Sequence, residues 1–191
     1  HVRLYPDHED LVIPGTSVVY NQVLENDGLF TDTYALEYTL AYSAGVGWSA
    51  SVAPTMVYTL PPGSSVPVVA TVGVPTGLIS GTRALMLVTA RSVNYPPIRA
   101  SAVNTMTVPY LPGAVIQPSY HTYAYPGDVV VYTHTLTNTG NYTLTFDLAT
   151  HSLFGYAEII EPPAGIAGPL GPGEATTIVI QVHIPEHAAS G

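Results

Sequence analysis

The stretch PGTSVVYNQVLENDGLFTDTYAL, residues 14–36, is written a second time as PGDVVVYTHTLTNTGNYTLTFDL, residues 126–148. At a constant offset of 112, eleven of the 23 positions are identical. Chance would give about one or two, so the pair marks an internal repeat. Pro14/Pro126, Gly15/Gly127, Tyr20/Tyr132, Leu24/Leu136, Asn26/Asn138, Gly28/Gly140 and Leu36/Leu148 are among the matches. In the second copy Val130, Tyr132 and Leu136 alternate with Val129, Val131, Thr133 and Thr135. A period of two is the mark of a half-buried strand, because successive side chains point to opposite faces.

Outward from this core the correspondence continues. Pro6 lies over Pro118, Gly47-Trp48 over Gly155-Tyr156 after a four-residue deletion, and Pro54 over Pro162. LPPG at 60 matches LGPG at 170, and the run ending at Gly81 matches the run ending at Gly191. Leu144, Phe146 and Leu148 form one inward row and Ile178, Ile180, Val182 and Ile184 another, stopped by Pro185. Proline lacks the donor a strand ladder needs. No segment sustains a helical period, and β-branched residues and Tyr dominate. The Pro-Gly pairs and the Asn-x-Gly after Leu24 and Leu136 read as turns, Asn capping through its side chain and Gly supplying positive φ. The chain is therefore expected to be all-β, two tandem immunoglobulin-like antiparallel sandwiches. Expected boundaries are 1–109 for the first, 110–113 for a short proline-containing linker, and 114–191 for the second.

The pattern PG…Y…L.N.G…T..L…GW…P…L.PG…V.V.VP….G resembles bacterial immunoglobulin-like modules, those attached to α-galactosidases and the CARDB-like adhesion-related domains. Its motifs are turn and core residues, so the resemblance implies a fold and only weakly an activity. In such modules further strands follow the final Gly. Copy one has them as RALMLVTARS, the loop VNYPPIR, and ASAVNTMTV. Copy two reaches Gly191 without them, which leaves an unpaired edge and an open core. Two expectations follow: the missing strands continue in the same polypeptide, or a neighbouring chain adds a strand. The opening stretch VRLYPDHEDLVI is the donor in the second case, and such contacts build head-to-tail filaments.

Composition excludes several functions. The formal net charge is -9, from 13 acidic residues against four Arg and no Lys. Four scattered Arg cannot form the basic stripe that displaces counterions from phosphates, so neither nucleic acid nor an anionic membrane is an expected partner. No apolar run approaches the ~18 residues a membrane helix needs, so direct insertion is not expected. Without Lys there is no Schiff-base chemistry, and with no Cys there are no disulfides, thiolate metal sites or Cys nucleophiles. Low charge, 14 Tyr and a repeated β module suit an extracellular or cell-surface location.

Candidate chemistry is sparse. Asp7-His8-Glu9-Asp10, with Asp27 or Asp32, offers oxygen ligands for calcium but lacks a D-x-D-x-D-G loop, and reads as a solvated loop. His183, Glu186 and His187 spell H-x-x-E-H, but Pro185 breaks the helix that spelling requires. His121, His134 and His151 are dispersed; His134 stands where copy one has Gln22. Asp147 and Glu158 are a conceivable carboxylate pair without a cleft to flank. Asn141-Tyr142-Thr143 is a glycosylation sequon in a turn. Trp48 and Tyr156 are expected as core aromatics. Tyr120, Tyr123 and Tyr125 are expected on an edge strand and are the candidate contact surface. No catalytic residue, metal or cofactor is expected. The expected function is a non-catalytic structural or adhesive module: a stalk, spacer or filament block whose partners are other protein chains, adjacent domains or cell-surface carbohydrate. The alternative is a carbohydrate-binding or accessory module beside a glycoside hydrolase.

Overall fold

A computed structural model describes residues 1–188, apart from the side chain of Tyr58. The last three positions of the repeat alignment, 189–191, lie outside the described residues. The chain is all-β and divides into two compact units, His1–Pro109 and the part from Tyr110 onward.

The first unit has nine strands: β1 (Arg3–Tyr5), β2 (His8–Leu11), β3 (Ser17–Glu25), β4 (Asp32–Tyr42), β5 (Ser49–Ala53), β6 (Met56–Leu60), β7 (Ser65–Gly73), β8 (Arg83–Ser92) and β9 (Arg99–Thr107). One sheet runs β1-β3-β7-β5 and the other β2-β9-β8-β4-β6. All pairings are antiparallel except β2 with β9, which is parallel. The inward rows are Tyr20 and Leu24 of β3, Val68, Ala70 and Val72 of β7, Met86 and Val88 of β8, and Ala102 and Met106 of β9. They meet in one cluster of 22 buried apolar residues. Each fully buried Val, Leu or Met side chain contributes about 1.5–3 kcal/mol.

VRLYPDHEDLVI is not one strand. β1 joins the first sheet and β2 the second, and the chain changes sheets at the cis Tyr5-Pro6 bond. Both pieces are spent within their own unit. The acidic run 7–10, expected as a solvated loop, is largely β2, held by the parallel ladder from His8↔Asn104 to Leu11↔Thr107.

Among its described residues the second unit repeats the plan with six strands: β10 (Ala114–Gln117), β11 (Val129–Asn138), β12 (Leu144–Asp147), β13 (Ala157–Glu161), β14 (Ile166–Leu170) and β15 (Ala175–His183). β10-β11-β15-β13 matches β1-β3-β7-β5 strand for strand, and β12-β14 matches β4-β6. Among the described residues nothing corresponds to β2, β8 or β9. The buried cluster is accordingly small: Leu136, Ala167, Leu170 and Ile178, flanked by half-buried Phe146, Leu148 and Ile180. Residues 110–113, expected as a linker, are bonded into this unit. Thr139 N–H donates to Gly113 O at 3.0 Å and Asn141 N–H to Leu111 O at 3.1 Å.

Both units are closed at one end by the same device. Asn26 Nδ2 donates to Phe30 O at 2.9 Å and Leu60 O at 2.8 Å, while its Oδ1 accepts from Gly28 N–H at 3.0 Å. Asn138 donates to Tyr142 O and Leu170 O at 2.8 and 2.7 Å, and accepts from Gly140 N–H at 2.9 Å. Gly63 N–H reaches Asn26 O and Gly173 N–H reaches Asn138 O, both at 2.8 Å. Gly63 and Gly173 have φ of 71° and 78°, where an L side chain is strained. Gly28 and Gly140 do not have positive φ, contrary to expectation. They are glycines because the incoming chain crosses them: a Cβ on Gly140 would lie 2.8 Å from Leu111 O, and one on Gly28 3.0 Å from His1 N.

Truncating either asparagine strands two carbonyls and one amide, at about 1–3 kcal/mol for each buried group left unpaired. Trp48 is the sole tryptophan and sits in the first unit. Asn26→Ala is expected to lower the denaturation midpoint of Trp48 fluorescence by the equivalent of more than about 3 kcal/mol. Asn138→Ala is expected to leave that midpoint in place while lowering the far-ultraviolet transition of the second unit.

Candidate functional site

The first unit carries a cleft of about 740 Å³ at the end where the β3–β4 and β8–β9 loops meet, lined by Asn26, Phe30, Asp32, Tyr34, Asn94 and Tyr95 among others. Asp32 organises it. Its carboxylate accepts from Asn94 Nδ2 and from Thr33 N–H at 2.9 and 2.8 Å, and also from the Ser92 hydroxyl. Ser92 Oγ in turn accepts from Tyr95 N–H at 2.9 Å, so one carboxylate clamps both loops. Partial burial pushes the Asp32 pKa up, but the bonds from Ser92, Asn94 and Thr33 outweigh it and hold the group below its ordinary value. An ionised, depressed carboxyl is an acceptor and not a general acid. Phe30 and Tyr95 flank it, exposed by 81% and 67%. A fixed carboxylate, an amide and two exposed rings form a hydrogen-bonding and stacking surface, not an acid–base pair.

The buried polar groups of the first unit are structural. Gln22 Nε2 donates to Asn104 Oδ1 at 3.1 Å, joining β3 of one sheet to β9 of the other. It also reaches Pro6 O at 3.4 Å. Tyr20 lies under the ring of His8, with centroids 5.1 Å apart. Burial, and secondarily the charge of Asp10, push the Tyr20 pKa up to about 12.

The residues singled out from the sequence are scattered. Asp7 Oδ1 accepts from Val103 N–H at 2.8 Å. Asp10 pairs with Met106 of β9, whereas Asp32 lies at the sheet end marked by Tyr34↔Ser92. Opposite ends of the sheet thus keep them apart. Asp27 faces His1 at 3.7 Å. Among the described residues, no three His, Asp or Glu side chains gather in metal-ligating range. His183 ends β15, 3.8 Å from Glu158 Oε1, while Glu186 and His187 lie in the turn after it. Asp147 and Glu158 belong to different sheets. His121 stacks edge-on against Tyr123, and His151 is exposed. Asn141 is in a turn, and its Oδ1 accepts from Leu111 N–H at 2.9 Å, pinning residues 110–113.

The expected edge strand at Tyr120, Tyr123 and Tyr125 does not form; residues 118–125 are irregular. Tyr120 packs on Tyr132 and His134, at 5.6 and 5.3 Å between centroids, and its hydroxyl donates to Thr133 O at 2.8 Å. Tyr123 and Tyr125 project outward, exposed by 92% and 80%. The three therefore do not make one platform. Of the two expected core aromatics, Trp48 sits at the margin of the first core and Tyr156 is half-buried outside the second unit's cluster. Trp48 is half-buried and stacks on Tyr42 at 5.9 Å, and Tyr156 stacks on Phe154 at 5.5 Å.

No protein-family model and no curated protein matches the chain. Solved structures with a similar course of chain include the secreted serine protease VesC from Vibrio cholerae, at 9% identity and a TM-score of 0.39 over 95% of this chain and 46% of that one. This chain thus spans under half the length of that protease. Another is the sialic acid binding region of a Streptococcus sanguinis SK1 adhesin bound to 3'sLn, at 10% identity and a TM-score of 0.39, covering 100% of this chain and 70% of that one. Likeness at this level carries no argument for a shared activity.

A depressed carboxylate contributes stability above its unfolded pKa, about 4 for Asp, and loses it as pH falls through the lower folded value. The first unit's melting temperature is expected to decline with acid below about pH 4, and Asp32→Asn to flatten part of that decline while lowering the plateau. Thermal melts across pH, followed by Trp48 fluorescence, measure both.

Proposed function

We propose that this protein is a non-catalytic structural or adhesive module at a prokaryotic cell surface, built to be strung into arrays. The duplicated asparagine corner carries this reading. Two units close the same way, with matching bonds within about 0.1 Å, and both spend their buried amides on holding turns. Tandem sandwiches act as spacers, with contacts made from exposed loop ends and strand edges. Exposed Tyr123 and Tyr125 in one unit and Phe30 and Tyr95 in the other suit such contacts, because aromatic side chains supply large contact area at low entropy cost. Within this reading the second unit joins its neighbours by strand addition along the edge of β12.

The cleft favours a second reading, a carbohydrate-binding module. Sugars are gripped by aromatic rings against their apolar faces and by fixed acceptors for their hydroxyls, and Tyr95, Phe30 and Asp32 offer both.

The deciding measurement is binding of the intact protein to an immobilised panel of oligosaccharides, alongside Phe30→Ala, Tyr95→Ala and Asp32→Ala. The structural reading expects no retained glycan and no turnover of glycoside or peptide substrates. Retention abolished by all three substitutions would install the carbohydrate reading in its place. Turnover by the wild-type protein would overturn both.

A further inference from the structure

Four features that are satisfied in the first unit are unsatisfied among the described residues of the second, and all four point to the same kind of neighbour. β4 runs eleven residues and pairs with β8 from Tyr34↔Ser92 to Tyr42↔Ala84, whereas β12 stops after four with β14 as its neighbour. Residues 8–11 form β2 on the ladder of β9, whereas the equivalent 120–123 form no strand. The inward row of β3 is fully buried at Tyr20, whereas the matching Tyr132 of β11 is half-exposed. Gln22 bonds Pro6 O and Asn104 Oδ1, whereas His134 in its place bonds Pro118 O at 2.7 Å through Nδ1.

The last pair is the most specific. A carbonyl only accepts, so Nδ1 of His134 carries a proton and donates this bond, and in the tautomer protonated on Nδ1 alone Nε2 is an acceptor. In the first unit the second bond of the equivalent side chain crosses to the opposite sheet, onto β9. The pattern that covers this face there is known in detail. β8 turns Ala84, Met86, Val88 and Ala90 inward, and β9 turns Ala100, Ala102, Asn104 and Met106 inward. The row is built of Ala, Met and Val with one polar residue, Asn104, among them.

We infer that the second unit is a docking site for an antiparallel β-hairpin of this chemistry. The hairpin enters between the free edge of β12 and residues 120–123. Its first strand pairs antiparallel with an extended β12. Its second strand pairs parallel with 120–123, converting them to a strand, and sets a hydrogen-bond donor opposite His134 Nε2. The inward rows bury Tyr132, Phe146 and Ile180, which are half-exposed in the described strands. The occupant is a polypeptide hairpin, not a glycan and not a second copy of the open face. This deepens the strand-addition part of the structural reading and depends on that part alone.

The test uses the full chain with a synthetic peptide copying residues 82–108, supplied in trans, and the same segment appended after Gly191, where Thr82 follows Gly81 in the first copy. Amide hydrogen exchange at 120–123 and 144–150 is expected to slow by more than about tenfold in both formats. A peptide carrying Met86→Glu and Val88→Glu is expected to leave exchange unchanged. Asn104→Leu within the added segment is expected to weaken protection and to erase the change in the His134 ring nitrogen resonances that the unaltered segment produces. Unchanged exchange with both formats overturns the inference. So does protection already present in the protein alone with a dimer in sedimentation velocity, which would make a second copy the occupant. Either failure leaves the non-catalytic reading standing, because that is decided by glycan retention and turnover.

Discussion

A single buried amide closes each half of this molecule. The side chains of Asn26 and Asn138 sit where strands of one sheet hand over to the other, and each bonds three backbone groups. Both are at most 1% exposed, so water cannot substitute for those bonds. Everything near the corner is arranged around it. Glycines stand where chain crosses chain, a left-handed glycine precedes β7 and β15, and residues 110–113 are tied down by Asn141 and Thr139. The corner is a constraint on backbone path, which explains why it recurs in two units whose cores differ so much in size.

The difference in core size follows from sheet composition. In the first unit five strands face four, and both apolar rows are covered. Among the described residues of the second, two strands face four. Apolar burial scales with covered area, so 22 apolar residues cluster in the first unit and four among the described residues of the second. Polar residues respond to the same geometry. Gln22 Nε2 bonds Asn104 across the core, and His134 in its place bonds Pro118 O in the irregular segment after β10.

The loop cleft illustrates a different route to order. The residues that join its two loops, Asp32 and Asn94, lie 62 apart in sequence. The Asp32 carboxylate, bonded by Asn94 and Ser92, and the backbone bond from Val93 N–H to Thr33 O join the loops, and the depressed pKa of Asp32 reflects the bonds it accepts. Phe30 and Tyr95 are left outside because the polar clamp, rather than aromatic packing, sets the loop conformation.

What could be read from the residues alone were the features that depend on neighbours along the chain. The alternation of β11, the inward rows of β12 and β15, the Pro-Gly turns and the bounds of β8 were all legible, because side-chain period and turn chemistry are local. The repeat itself multiplied that signal. The features decided by tertiary structure involve partners far along the chain. Residues 3–11 divide between two sheets because β3 and β9 each claim one piece, and Tyr120 to Tyr123 stay irregular because they have no β9 to pair with. Gly28 and Gly140 are demanded by crossing backbone rather than by their own φ. The Gln22–Asn104 bond and the Asp32–Asn94 clamp join residues 82 and 62 apart, separations at which no local pattern announces a partner. Local stereochemistry determined where strands begin, end and face. The pairing of distant strands, which depends on which edges are free in space, decided where the polar and aromatic groups could act.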